Sequence, residues 1–268
     1  MPVMRSIAAL GLMLLAAAAG PAPVVRRIPA EEANQGVAAD GRHVYAVDNS
    51  RIARYRIADG VRVAQWRGDP AMFPHLDSCA IVRGELACAA SNYPAVPQTS
   101  SVEFFDRRTL RHRRSHHFGQ TDGSLTAIDR HGGSWWAVFA QYDGKGGTPG
   151  KDHRDTQLVE LDDTFRPLRR WTFPSEILDR IKPYSISGAS WSRDGRLAMS
   201  GHDRPEIYIV ALPADGAILR LVATVAVATN GQAIDWDPAS PHRLWSISRA
   251  DRALVLSELP PLVADTQP

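Results

Sequence analysis

The sequence predicts an all-β protein, a single-domain β-propeller of five four-stranded blades closed by a strand from the N-terminus. Three observations carry this expectation. Short apolar and β-branched runs recur in units of about 40 residues, a period typical of blades. The runs are separated by turn pairs such as Asp40-Gly41, Asn49-Ser50 and Asp59-Gly60, whose residues accept the positive φ of tight hairpins. Finally, the last unit lacks one strand, and a strand near the N-terminus belongs to no unit. A six-bladed ring is the structural competitor, because the long third unit leaves room for merged strands.

The first unit sets the template, with strands at Gly36–Ala39, His43–Asp48, Ile52–Ile57 and Val61–Trp66. The second reads Cys79–Val82, Glu85–Ala90, Ser101–Asp106 and His112–Phe118. The third reads Leu125–Asp129, Trp135–Gln141, Gln157–Leu161 and Leu168–Phe173. The fourth reads Gly188–Ser192, Arg196–Ser200, Glu206–Leu212 and Leu219–Ala226. The fifth has Gln232–Asp235, Leu244–Ser248 and Leu254–Leu259, and its missing strand is Val24–Ile28. Pairing that strand into the last blade leaves no open seam in the ring. Two insertions interrupt the units: a Gly-rich loop over residues 142–155, read as a lid over the channel, and a segment with a helical turn from Ser175 to Arg180.

The ends are distinct from the body. Arg5 precedes a continuous apolar run, Ile7–Ala19, of about 13 residues, too short for a bilayer of about 30 Å but right for a secretory leader. Residues 1–19 are therefore expected to be a signal peptide, residues 24–260 the propeller, and residues 261–268 a disordered tail. A periplasmic or secreted protein follows, with no membrane contact after cleavage. The chain has 268 residues, is 44% hydrophobic and carries a formal net charge of +2, which gives no electrostatic case for nucleic acid. The basic run from Arg107 to His117 falls on an outermost strand, where charge discourages edge-to-edge pairing. A monomer is expected.

In a propeller, the loops entering each innermost strand and those leaving each second strand open on one face. Those positions here are mostly polar while the strands are apolar, the usual form of a small-ligand site. They nominate Asn34, Gln35, Asn92, Ser124, Gln141, Ser187, His202, Gln232 and Arg249 as ligand-binding residues. Asp48, Asn49, Tyr93 and Asp122 share these positions. His75 and Asp77 are the candidate catalytic pair, since a neighbouring carboxylate orients an imidazole and raises its pKa. Polar residues at strand ends also serve simply as turn formers. Oxygen ligands from Asn and Asp on several blades would suit Ca²⁺, the one cofactor the pattern admits, but no metal-ligand spacing is present. Gly144–Lys151 lacks the spacing and the Ser or Thr of a phosphate loop, and no Gly-x-Ser-x-Gly nucleophile elbow occurs. Cys79 and Cys88 face each other across a hairpin turning at Arg83-Gly84, with Cα atoms expected about 4.5 Å apart, so a disulfide is predicted.

Asn34-Gln35-Gly36-Val37 resembles the Thr-Gln-Gly-Leu-type opening of the first blade in five-bladed plant-type glutaminyl cyclases. Asn230-Gly231-Gln232-Ala233-Ile234-Asp235 is similar to the opening of their last blade. Where those cyclases place Glu-Gly at the second blade, this chain has His75-Leu76-Asp77-Ser78. Within the broader group that includes gluconolactonase-like propellers, the resemblance implies a glutamate metal ligand that only Glu31 or Glu32 would supply. Two functions follow. One is a propeller that binds a small polar molecule at the channel mouth, as a lactonase, cyclase or cycloisomerase. The other is a non-catalytic propeller that binds a peptide or protein partner.

Overall fold

The computed structural model describes residues 20–121 and 123–261. The expected leader, nearly all of the expected tail and Asp122 lie outside the described residues. Twenty strands form five four-stranded antiparallel sheets. After β1 (Val24–Pro29), the first blade is β2 (Gly36–Ala39), β3 (His43–Asp48), β4 (Arg51–Arg56) and β5 (Arg62–Arg67). The second is β6 (His75–Val82), β7 (Glu85–Ser91), β8 (Thr99–Asp106) and β9 (His112–Gln120). The third is β10 (Ser124–His131), β11 (Ser134–Ala140), β12 (Gln157–Leu161) and β13 (Pro167–Trp171). Helix α1 (Ser175–Ile181) leads to the fourth, β14 (Gly188–Trp191), β15 (Leu197–Ser200), β16 (Glu206–Ala211) and β17 (Arg220–Ala226). The fifth is β18 (Ile234–Trp236), β19 (Arg243–Ser248) and β20 (Ala253–Glu258), completed by β1.

The ring is visible in which strands touch. Each first strand meets the next one, β2 with β6, β6 with β10, β10 with β14, β14 with β18, and β18 again with β2. Closure comes from β1, which pairs antiparallel with β20 from Val24↔Ser257 to Pro29↔Ala253. The five-bladed ring with its N-terminal closing strand is the predicted one.

The core is divided in the same way. Five apolar clusters each fill the wedge between two neighbouring sheets. One example joins Ala127, Trp136 and Trp171 of the third blade to Leu197, Met199 and Tyr208 of the fourth. Another joins Trp245 and Leu254 of the fifth blade to Val37 and Val44 of the first. Burying one such large side chain contributes roughly 1.5–3 kcal/mol. Tying each blade to the next therefore takes several such side chains.

Near the axis the blades come too close for side chains. A Cβ on Gly36 would lie 2.3 Å from the Asp77 carbonyl oxygen of the second blade. On Gly188 it would lie 2.9 Å from the Gln232 carbonyl oxygen of the fifth. At the other end of the first strands, carboxylates staple the blades. Asp129 Oδ2 accepts the Trp191 amide at 2.7 Å, Asp235 Oδ2 accepts the Ala39 amide at 2.7 Å, and Asp235 Oδ1 accepts the Ser190 hydroxyl at 2.8 Å. Burial there pushes Asp129 up to about 6 and Asp235 well above the usual carboxylate range.

Two predicted first strands start earlier than expected. β6 begins at His75 rather than Cys79, and β10 at Ser124 rather than Leu125. Each passes through a register shift, between Leu76 and Cys79 in β6 and between Leu125 and Ala127 in β10. A bulge breaks the alternation that marks a strand in sequence while the ladder continues past it. His75, Asp77 and Ser124 are thus strand residues, not loop residues. β18 begins at Ile234 instead of Gln232, because Gln232 has φ 66 and leaves the strand path.

Deleting residues 24–29 exposes β20 along its length and should abolish the cooperative thermal transition. A truncated chain melting at the wild-type temperature would show that closure does not depend on β1. Gly36→Ala should destabilise the protein by about 1–3 kcal/mol, since backbone and not a flexible side chain blocks the added methyl. Chemical unfolding of the variant measures this directly.

Candidate functional site

One mouth of the ring collects side chains from all five blades. The turn after β3 holds Asp48 and Asn49, and Asn49 adopts φ 47, a conformation that Asn tolerates better than most residues. Its backbone bridges Leu76 of the second blade, which seats it beside His75. Asn49 Nδ2 donates to Asp48 Oδ1 at 3.0 Å, so its Oδ1 faces His75 as an acceptor. His75 Nδ1 lies 2.8 Å from that oxygen and Gln35 Nε2 donates to it at 3.5 Å. The proton of a neutral His75 is therefore on Nδ1, and Nε2 presents a free lone pair.

Asp77 sits at the bulge of β6, which turns a side chain away from strict alternation. The carboxyl is 5% exposed, its Oδ2 is 3.7 Å from His75 Nε2, and its Oδ1 has no hydrogen-bond partner. At 3.7 Å the two groups do not hydrogen-bond directly. This corrects the expected pairing, since Asn49 and not Asp77 orients the imidazole. It also corrects the expected direction of the pKa. Burial, then the nearby Arg249 and His202, lowers His75 to about 4. Burial likewise raises Asp77 well above the usual carboxylate range. His75 is therefore neutral near pH 7, and burial biases Asp77 toward its protonated form. The Asp77 carboxyl and a bare imidazole nitrogen face one gap, a geometry suited to donating and accepting a proton with a group placed between them.

Across the mouth, His202 Nδ1 is 2.6 Å from Asp203 Oδ1, and its Nε2 is 3.3 Å from Arg249 Nη1. The Tyr184 ring stacks on His202 at 4.1 Å. Tyr93 lies 5.3 Å from the His75 ring, and Tyr142 5.1 Å from Tyr93. Gln232, buried, donates from Nε2 to the His202 carbonyl at 3.1 Å. Gln35, His75, Asp77, His202, Gln232 and Arg249 are thus joined by contacts or by mutual electrostatic influence.

The other nominated residues have different surroundings. Gln141 and Ser124 are fully buried in a network with Gln98 and Thr148. Gln98 also donates to the Gly146 carbonyl at 2.6 Å, so the Gly-rich loop is tied down at this point. Asn34 donates to Asp48 at 2.8 Å. The buried Ser187 donates its amide to the Ser200 carbonyl at 2.9 Å. Asn92 is turned to its own loop, donating to the Pro97 carbonyl at 3.0 Å and accepting from the Thr99 amide at 2.9 Å. Its other face lines a surface groove of about 280 Å³ with Met72 and Glu103. Glu32 meets the Tyr55 hydroxyl at 2.7 Å and Arg62 at 3.1 Å, and Glu31 is exposed beside Arg62. Asp143, Asp152 and His153 bring ligand atoms within 4.8 Å of one another on the Gly-rich loop. Asp143 already meets His153 at 2.7 Å and Asp152 binds Arg154, a poor match to the six to eight oxygens of Ca²⁺.

Tyr142, Tyr184 and Gln98 went unrecognised in the sequence. Tyr142 has a signal there, because it follows Gln141 as Tyr93 follows Asn92, two places beyond the end of a second strand. Cys79 and Cys88 are joined as predicted, with Cα atoms 4.0 Å apart, and Arg83 and Gly84 adopt φ 50 and 85 in the two-residue turn. The bond closes the β6–β7 ladder directly after the bulge that carries Asp77.

The depressed pKa of His75 makes stability depend on pH. Between 6.5 and about 4 the unfolded chain takes up a proton that the folded chain refuses, so acidification through this window destabilises. The full effect is at most about 3 kcal/mol, at 1.36 kcal/mol per pH unit. Unfolding free energies measured from pH 7 to pH 4 should fall more steeply for the wild type than for His75→Gln. Equal slopes would show that His75 titrates normally.

No family model matches the chain, and no curated relative matches it. Solved structures do resemble it. The PQQ-bound aldose sugar dehydrogenase from Streptomyces coelicolor superposes with a TM-score of 0.54 at 13% identity, over 94% of this chain and 85% of that one. A luciferin-regenerating enzyme superposes with a TM-score of 0.51 at 10% identity, over 85% of this chain and 91% of that one. At these identities the likeness is one of fold: the chain is a β-propeller similar in architecture to these two enzymes.

Proposed function

We propose that this propeller binds a small polar molecule at the His75–Asp77 mouth and acts on it by proton transfer. The observation that carries the reading is the Asp77 carboxyl, buried, with one oxygen unpartnered and the other facing His75 Nε2 across 3.7 Å. A buried polar atom without a partner costs about 1–3 kcal/mol, which a bound hydroxyl or carbonyl would recover. In the reaction Asp77 donates its proton to a substrate oxygen, while His75 Nε2 accepts one from a neighbouring carbon or hydroxyl. Asn49 holds the His75 tautomer, and Tyr93, Tyr142 and Tyr184 form the walls. Opening of a lactone by water balances with this pair. Water adds to the carbonyl carbon and gives its proton to His75 Nε2, while the ring C–O bond breaks and the leaving oxygen takes the Asp77 proton. Cyclisation is the reverse, and isomerisation moves a proton from carbon to His75 as Asp77 protonates the oxygen, in keeping with the resemblance to cyclase-like and gluconolactonase-like propellers. The apolar N-terminal run and the disulfide support a periplasmic or secreted setting, where the protein acts as a monomer.

The test is a thermal-shift screen of lactones, hydroxy acids and cyclisable amides, followed by turnover assays on each stabilising compound. Asp77→Asn and His75→Ala should each lower turnover by about 10²–10⁴-fold. A screen in which nothing shifts the wild type, or full activity in both variants, would overturn the reading.

A further inference from the structure

We infer that the molecule taken at this mouth is a hydroxycarboxylic acid, with its carboxylate seated on the Arg249 guanidinium. The inference rests on the acid–base reading of His75 and Asp77 above. Arginines elsewhere around this face are already matched to acids. Arg51 and Arg252 both meet Asp48, Arg27 meets Asp251, and Arg62 meets Glu31 and Glu32. Arg249 differs. Among the described residues its one side-chain hydrogen bond is to His202 Nε2 at 3.3 Å, and it has no carboxylate partner. It is exposed, yet near enough to His75, Asp77 and His202 to influence the charge of each.

The charges around it leave that cation uncompensated. Asp203 is engaged with His202 Nδ1 at 2.6 Å, which keeps His202 Nε2 as the acceptor for Arg249. Asp48 is engaged by two arginines and by two side-chain amides. The floor is made of half-buried His75 and buried Asp77, both biased by burial toward their uncharged forms. An exposed guanidinium with no carboxylate partner at the edge of such a floor attracts an anion. One planar fork matches the two oxygens of a carboxylate, whereas a phosphate dianion would bring two charges to one cation. The rest of the ligand meets Asp77 as donor, His75 Nε2 as acceptor and the faces of Tyr93 and Tyr184, which suits a short carbon chain bearing hydroxyls. The α- or β-hydroxyl of such an acid would reach the buried pair while the carboxylate stays at the rim.

Titration calorimetry at fixed ionic strength tests this with matched pairs: gluconate against gluconamide, glucuronate against glucuronamide, and lactate against lactamide. The wild type should bind at least one acid more tightly than its amide by about tenfold or more. Arg249→Gln should erase that preference, and Arg249→Lys should restore part of it. Because Arg249 is exposed, both variants should melt with the wild type, which separates lost binding from lost folding. Equal affinity for acids and amides in the wild type would overturn the carboxylate assignment while leaving the small-ligand reading in place. So would an acid preference that persists in Arg249→Gln. Binding by no member of either series would overturn both.

Discussion

The pairing of β1 with β20 is the interaction on which the architecture depends. Five sheets packed face to face in a ring are held mainly by apolar wedges, and each wedge needs both its walls in place. The fifth blade is assembled from the two ends of the chain, so the ladder from Val24↔Ser257 to Pro29↔Ala253 joins the first segment to the last. Its hydrogen bonds do for the ring what a covalent clasp would do. They remove an open strand edge and hold the fifth wedge against the first.

That closure sets the distances near the axis, and these set the chemistry. Blades approach closely enough at Gly36 and Gly188 that backbone meets backbone. Side chains that point into such a space lose water before they gain partners. Asp77 and His75 are both driven toward their uncharged forms by burial ahead of any neighbouring charge. Desolvation, more than the short sequence spacing between the two residues, decides how they behave. The same applies to Asp129 and Asp235 at the opposite end of the first strands, where raised carboxyls act as staples between blades.

The second blade carries the local device that aims the site. The bulge between Leu76 and Cys79 adds a residue to β6 relative to β7, and Asp77 lies within it. Immediately beyond, the Cys79–Cys88 bond locks the register of the hairpin. A slip of one residue would reverse the faces of this strand, so the covalent link supports the position of the carboxyl as well as the stability of the sheet.

Much of the fold was legible in the sequence because it follows local rules. Alternation, turn pairs and the unmatched strand Val24–Ile28 are short-range signals, and they led to the five sheets, the closing strand and the Cys79–Cys88 pairing. The candidate site was legible only as a set of positions. Strand ends nominated Gln35, His75, Asp77, His202, Gln232 and Arg249, which meet in the structure, but also Asn92, whose amide is consumed by its own loop. Nothing local distinguishes these cases, because the difference is which neighbouring blade lies within reach. The roles of Asn49 and Tyr184, the shift of His75 and Asp77 toward their uncharged forms, and the unmatched charge on Arg249 were decided by tertiary structure alone. Each depends on burial and on partners from other blades, distant in sequence and adjacent only once the ring is closed.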